Sequence, residues 1–198
     1  MIAIIDYKAG NLASVSNALQ RLGASYEITS KTDDLDRASA VIFPGVGHAA
    51  SAMQDLARNG LDRWLRETRR PVLGICLGMQ LLYESSSEGG TRALGIVPGT
   101  LNRFSAATGK VPHMGWNAVT PLSDHPLSKG IAAGTHFYHV HSYYAPVTAH
   151  TIASSRYTDE FTAAVAWQNF CGVQFRPEKS GMPGEKLLAN FLTMVGKQ

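Results

Sequence analysis

Three short stretches carry the residue types best able to do chemistry, and the first is GICLG at 74–78. Its pattern is glycine, any residue, a nucleophile, any residue, glycine, set after the apolar run VLGI and before the helical sequence GMQLLYE. In a strand-turn-helix context that pattern makes a strained elbow, which lifts the central side chain, here Cys76, off the carboxyl end of a strand and over the start of the next helix. The positive end of the helix dipole lowers a thiol pKa, so the setting favours a reactive thiolate. A free cysteine is more often a small buried hydrophobe; the elbow reverses that expectation for Cys76, whereas Cys171, inside AAVAWQNFCGVQF, reads as core. A thiolate attacking an amide needs hydrogen-bond donors for the oxyanion it creates. The second stretch, PGVG at 44–47, offers them, because Gly45 and Gly47 can present backbone N–H groups at the carboxyl edge of a sheet. The third, GVQFRPEKS at 172–180, begins like a buried strand and ends at Arg176-Pro177-Glu178, where a cysteine-based triad would want its base.

Placing three such stretches together requires a sheet whose strands end at one edge. IAII at 2–5 is a short apolar run suited to a buried parallel strand, and the following sequence sets Leu12, Val15, Leu19 and Leu22 at helical spacing with Gly23 as the stop. Strands at 26–29 and 40–43, helical sequence from 49 to about 69 and the strand VLGI continue the alternation, which predicts an α/β fold with a doubly wound sheet. The second half reads as shorter, partly antiparallel strands: LGIVPGTLNRF, WNAVT, HFYHVHSYYA, TIASS, and a hairpin turning near Gln168-Asn169. GEKLLANFLTMVG closes the chain as an amphipathic helix with Leu187, Leu188, Phe191, Leu192 and Val195 on one face.

The chain has 198 residues, 44% hydrophobic and 17% charged, enough for one globular domain with a substantial core. A net charge of +3 and seven scattered histidines make no basic stripe, so nucleic acid is not an expected partner. RETRR at 66–70 is expected to close a helix and complement its dipole. Two cysteines in different contexts make neither a zinc pattern nor a disulfide framework, and neither a signal sequence nor a run of membrane-spanning length appears; a cytoplasmic chain without a metal is the plain expectation. GVGHAA at 45–50 also fits a loose dinucleotide fingerprint, but it is not on the first strand, Pro44 intrudes, and the acidic residue about twenty positions on, Glu67, lies in a helix.

PGVG at 44–47, GICLGMQ at 74–80 and GVQF-x-PE at 172–178 together resemble the class I, or triad-type, glutamine amidotransferases in order and spacing over almost the whole chain. IAIIDYKAGNLASV, PHMGWN at 112–117, FYHVHSYYAPV at 137–147 and FTAAV at 161–165 extend the resemblance to the glutaminase subunits of imidazole glycerol phosphate synthase, from histidine biosynthesis. The resemblance implies a flavodoxin-like fold with a mostly parallel mixed sheet, hydrolysis of glutamine to glutamate without a cofactor, and ammonia passing through a tunnel to a (βα)8-barrel cyclase partner. It makes Cys76 the nucleophile and Glu178 the carboxylate that orients the base. It assigns Val46, Gly47 and the amide of Leu77 to the oxyanion hole, which the family can leave incomplete until its partner is bound. Gly45, Gln80, His141, Ser142 and Tyr143 fall in the glutamine pocket, and Met114, Trp116 and Asn117 on a loop-like surface facing the cyclase.

One position departs. The family has histidine where this chain has Arg176. A guanidinium, with a pKa above ~12, cannot accept the proton that the triad must take and return, although its charge can pair with Glu178 and hold Cys76 ionised. His139 lies two residues from His141 on one strand face and is the candidate replacement base; otherwise it reads as a partly exposed strand residue. His48, His125, His136 and His150 read as loop or surface residues. Two readings remain: an amidotransferase subunit impaired at Arg176, and a non-catalytic paralogue that docks on and supports an ammonia-using cyclase.

Overall fold

The computed structural model describes residues 1–196. The first half alternates as the sequence predicts: β1 (Ile2–Ile5), α1 (Leu12–Arg21), β2 (Tyr26–Thr29), α2 (Thr32–Arg37), β3 (Ala40–Gly45), α3 (Ala49–Arg58), α4 (Leu61–Glu67), β4 (Val72–Cys76) and α5 (Leu77–Leu81). The second half holds β5 (Tyr83–Ser86), β6 (Thr91–Arg92), β7 (Val97–Arg103), β8 (His113–Pro121), β9 (Thr135–His141), β10 (Tyr143–Tyr144), β11 (Thr151–Arg156), β12 (Glu160–Trp167) and β13 (Phe170–Val173), then α6 (Gly181–Val195). Among the described residues no helix is long and apolar enough to cross a membrane, and no group of histidine, cysteine and acidic side chains could hold a metal ion.

Nine strands form the main sheet in the order β2-β1-β3-β4-β13-β12-β11-β8-β9. Pairing is parallel from β2 through β13 and antiparallel from β13 to β9, so the sheet is mixed, with more antiparallel pairing than expected. A smaller sheet, β10-β7-β5-β6, stands beside it. Alternation along β1 shows how the core divides: Ile2 and Ile4 join a cluster with Leu19, Phe161, Phe175 and Phe191, while Ala3 and Ile5 join one with Phe43, Leu56, Trp64 and Met79. Successive strand side chains point to opposite faces, so α1 and α6 cover one face of the sheet and α3, α4 and α5 the other.

Three local expectations change, each because tertiary pairing or backbone conformation overrides periodicity. The helical pattern at 49–69 breaks at Gly60, whose left-handed φ of 68° starts a second helix. That helix ends at Glu67, leaving only Arg66 of the basic run in its last turn. The helix expected over GMQLLYE ends after Leu81, because Tyr83 and Ser85 pair with Val97 and Thr100 on β7. PHMGWN is strand rather than loop from its second residue: 113–117 form the first half of β8, with Trp116 opposite Tyr138 on β9. The hairpin between β12 and β13 turns at Gln168-Asn169 as expected, with Gln168 at a φ of 53°.

Candidate active site

β4 lies between β3 and β13, which sets Gly45 opposite Cys76 and Val173 opposite Ile75, so the three chemical stretches leave neighbouring strands at one edge. Cys76 itself has φ 55° and ψ −112°, a conformation that costs a non-glycine residue about 1–3 kcal/mol and persists only where the surroundings enforce it. The enforcing contact is visible at Gly78, where a Cβ would fall 1.8 Å from the Phe43 carbonyl oxygen, so α5 can press against β3 only with glycine there. The Cys76 thiol donates to the Val140 carbonyl, Sγ to O 3.9 Å.

Burial pushes that thiol up to about 11; the Arg176 charge and the Leu77 N–H pull it down, and Glu178 pushes it up. The expectation of an ionised Cys76 therefore does not hold in the free chain. Burial outweighs one guanidinium, and a five-residue α5 adds little macrodipole. Arg176 pairs with Glu178 close enough to Cys76 for its charge to act on the thiol. Its Nε donates to Glu178 Oε1 at 2.8 Å, with both side chains largely buried, while Glu178 Oε2 finds no hydrogen-bond partner among the described residues. The backbone holds the segment in place: Arg176 N–H donates to Tyr138 O at 2.9 Å, and Ser180 Oγ donates to Arg176 O at 2.7 Å while accepting from Tyr138 N–H at 3.0 Å.

His139 is not the partly exposed residue expected. It is fully buried, packs its ring near His113, Phe161 and Phe175, and donates from Nδ1 to the Phe137 carbonyl at 3.0 Å. It makes no hydrogen bond to Cys76, and burial, with His113 beside it, lowers its pKa to about 3, which makes it a poor base.

A pocket of about 250 Å³ opens beside the thiol, lined by Gly47, Cys76, Leu77, Gln80, Glu88, Pro112, Val140, His141, Ser142 and Tyr143. Larger hollows near Arg69 and Asn169 lie at the opposite, amino ends of β4 and β13, and no cysteine is among the residues that line them. The structure thus gathers Gly47, Leu77, Gln80, His141, Ser142 and Tyr143 around Cys76, as the sequence suggested. It does not bring in Gly45, which is buried under the elbow with Gly78 N and Tyr7 OH each 2.6 Å from where its Cβ would be. Nor is Val46 ready to serve: its N–H donates to the Ala9 carbonyl at 2.7 Å. Gln80 Nε2 donates to the Tyr143 carbonyl and to Gln174 Oε1, both at 2.9 Å. Glu88 is the residue that sequence reasoning missed. It sits in a Ser- and Gly-rich turn with no motif around it, yet its Oε2 accepts from Ala49 N–H at 2.7 Å, which both fixes it at the pocket and occupies the start of α3, where a dinucleotide phosphate would have to bind.

Of the three surface candidates, Met114 and Trp116 are 63% and 57% exposed, with Trp116 set edge-on to Tyr138. Asn117 differs from the expectation: it is half-buried, and its amide donates inward to the Arg156 carbonyl at 2.9 Å and to His113 Nε2 at 3.2 Å.

The chain is similar to known proteins in sequence and in fold. The family described as glutamine amidotransferase class-I matches residues 3–195. A protein from Bacteroides fragilis (strain YCH46) named imidazole glycerol phosphate synthase subunit HisH is 47% identical over 98% of this chain and 99% of its own length. A HisH subunit from Colwellia psychrerythraea is 42% identical over 96% of this chain and 92% of its own. In three dimensions, a putative GMP synthase protein from Thermoplasma acidophilum superposes with a TM-score of 0.77 at 17% identity, covering 99% of this chain and 94% of that one. A PurLQS chain from Thermotoga maritima gives 0.72 at 18%, covering 98% of each. These two likenesses speak for the fold, and the sequence matches speak for the family. The strained cysteine, its glycine-lined elbow and the near full-length identity together make this chain a member of the class I glutamine amidotransferases, of the HisH type.

Proposed function

We propose that this chain is a single-domain, cytoplasmic glutaminase subunit of an imidazole glycerol phosphate synthase, releasing ammonia from glutamine for a (βα)8-barrel cyclase partner. The observation that carries the reading is Cys76, held in a strained conformation at the head of a pocket the size of a small amino acid. In this reading the side-chain carboxamide of glutamine faces Sγ, the α-ammonium faces the Glu88 carboxylate, and the His141–Tyr143 segment with Gln80 forms the wall. Sγ attacks the carboxamide carbon, the C–N bond breaks to release ammonia, and water then cleaves the thioester to glutamate. The Leu77 amide and the PGVG loop supply donors to the oxyanion; Val46 N–H must first leave Ala9 O, which suits a hole completed when the partner docks on the exposed Met114 and Trp116.

Proton transfer is the weak point. Arg176, paired with Glu178, orients a charge where a base is needed and cannot shuttle a proton. This observation also favours a second reading, in which the chain docks on and supports a cyclase that uses free ammonia. Arg176→His separates the two: assayed with the cyclase partner and glutamine, the variant is expected to hydrolyse glutamine at least ~10²-fold faster than the parent. Equal rates would overturn the assignment of position 176 as the missing base, and no glutamine hydrolysis by either would favour the docking reading.

A further inference from the structure

Three hydrogen bonds, one buried and two partly buried, run in one direction from β8, the strand that exposes Met114 and Trp116, to the pocket wall, and their direction follows from the donor and acceptor chemistry of each group. The Tyr143 carbonyl can only accept, so His141 Nδ1, 2.8 Å away, carries a proton. His141 is buried and neutral, which leaves Nε2 bare to accept from His113 Nδ1 at 3.0 Å. His113, also buried and neutral, then has a bare Nε2, which faces the Asn117 amide at 3.2 Å. That amide cannot be turned around, because its oxygen accepts from Ala118 N–H at 2.8 Å and its nitrogen also donates to Arg156 O. Each ring is therefore confined to one tautomer, and at the far end the Tyr143 carbonyl is gripped by two donors, His141 Nδ1 and Gln80 Nε2.

We infer that His113 is a positioning residue for the pocket: relayed through His141, it fixes where the Tyr143 carbonyl, and hence Gln80 and the His141–Tyr143 wall, stands relative to Cys76. His113 does not line the pocket, and PHMGWN, the stretch that contains it, pointed only to its outward residues; the role of His113 arises because β8 sets it opposite His141 on β9. On the same strand Met114 and Trp116 face outward, so a displacement of β8 at that surface would move the first link of the chain. The inference rests on the reading of the pocket as a glutamine site only for its ligand, not for its geometry.

Two measurements test it. Histidine ¹⁵N NMR of the full chain at neutral pH is expected to show His113 and His141 both as Nδ1–H tautomers, and His113→Phe should shift the His141 Nε2 resonance towards that of a free acceptor. Calorimetry with glutamine is expected to show a Kd raised about tenfold by His113→Phe, a ring that keeps the stack on Tyr157, and largely recovered in His113→Asn, whose amide can still donate to His141. An Nε2–H tautomer at His141 in the parent, or a His113→Phe affinity equal to the parent's, overturns the inference. If the parent itself binds no glutamine, the functional reading fails and the tautomers alone decide; if His113→Phe does not fold, the parent spectrum and His113→Asn decide.

Discussion

Acidification from pH 7 to pH 5 should destabilise this fold steeply, and the cause is the same histidine cluster. His113, His139 and His141 are buried and their rings lie within 6 Å of one another. Burial lowers His113 to about 4 and His139 to about 3, and holds His141 well below its ordinary value. For a base whose folded pKa is depressed, the unfolded chain binds more protons between the two pKa values. The stability these groups permit is therefore fully present above an unfolded pKa of ~6.5 and is lost as pH falls below it, until the folded values are reached. At pH 5 the unfolded histidine is almost wholly charged and the folded one largely neutral, a cost of about 2 kcal/mol for each of His113 and His139. His141 acts in the same direction. A loss of about 4 kcal/mol or more compares with a total stability of ~5–15 kcal/mol for a typical domain. Urea denaturation followed by circular dichroism at pH 7, 6 and 5 measures it. His139→Phe, which keeps an aromatic ring against Phe161 and Phe175, should remove about 2 kcal/mol of the loss. A stability that stays flat from pH 7 to 5, or a His139→Phe chain that loses as much as the parent, would refute the reasoning.

Other consequences are open to direct measurement. With Cys76 pushed up to about 11 and Cys171 to about 12 by burial, alkylation of the free chain should be slow at neutral pH and rise only in the alkaline range; a labelling pKa for Cys76 near 7 would show that Arg176 outweighs burial after all. If the chain docks on a cyclase as proposed, Trp116→Ala should weaken the complex by ~2 kcal/mol in calorimetry, and an unchanged affinity would place Trp116 at the rim of the interface or outside it. Gly78→Ala should cost ~3 kcal/mol in thermal unfolding, since its Cβ would meet the Phe43 carbonyl at 1.8 Å; a chain as stable as the parent would mean that α5 can withdraw from β3.

What the sequence made legible was local, and what it hid was paired across distance. The elbow at Cys76 needs only an apolar strand, two glycines and a helix start, all within a few residues, so it could be read directly. β1, β3 and the β12–β13 hairpin were likewise readable from apolar runs and one turn. Glu88 was not, because its place at the pocket depends on Ala49, 39 residues upstream. The His113–His141 link spans 28 residues and exists only in the antiparallel register of β8 and β9. His139 misled for a related reason: a strand histidine reads as partly exposed, but the face of β9 that carries it packs against Phe161 and Phe175, contacts made only in the folded chain.

Under the proposed function two features hold the site quiet, and they differ in kind. The Val46 N–H is tied to Ala9 O by one backbone hydrogen bond, worth ~1 kcal/mol net, which a change in the PGVG loop can exchange for a bond to an oxyanion. Val46 and Gly47 are exposed and Gly47 sits at a φ of 96°, so the loop can turn without repacking the core. Arg176 offers no such exchange. Its charge is permanent, its Nε is committed to Glu178, and its backbone is tied to Tyr138 and Ser180. Under the proposed function a docked partner would therefore supply the missing oxyanion donor without supplying a base. Under the proposed function, partner binding should raise formation of the Cys76 adduct with a glutamine-mimicking electrophile, while turnover of glutamine itself stays low until position 176 is histidine. If partner binding instead restores full turnover with Arg176 in place, a base outside this triad is at work, and the reading of Arg176 as the block is wrong.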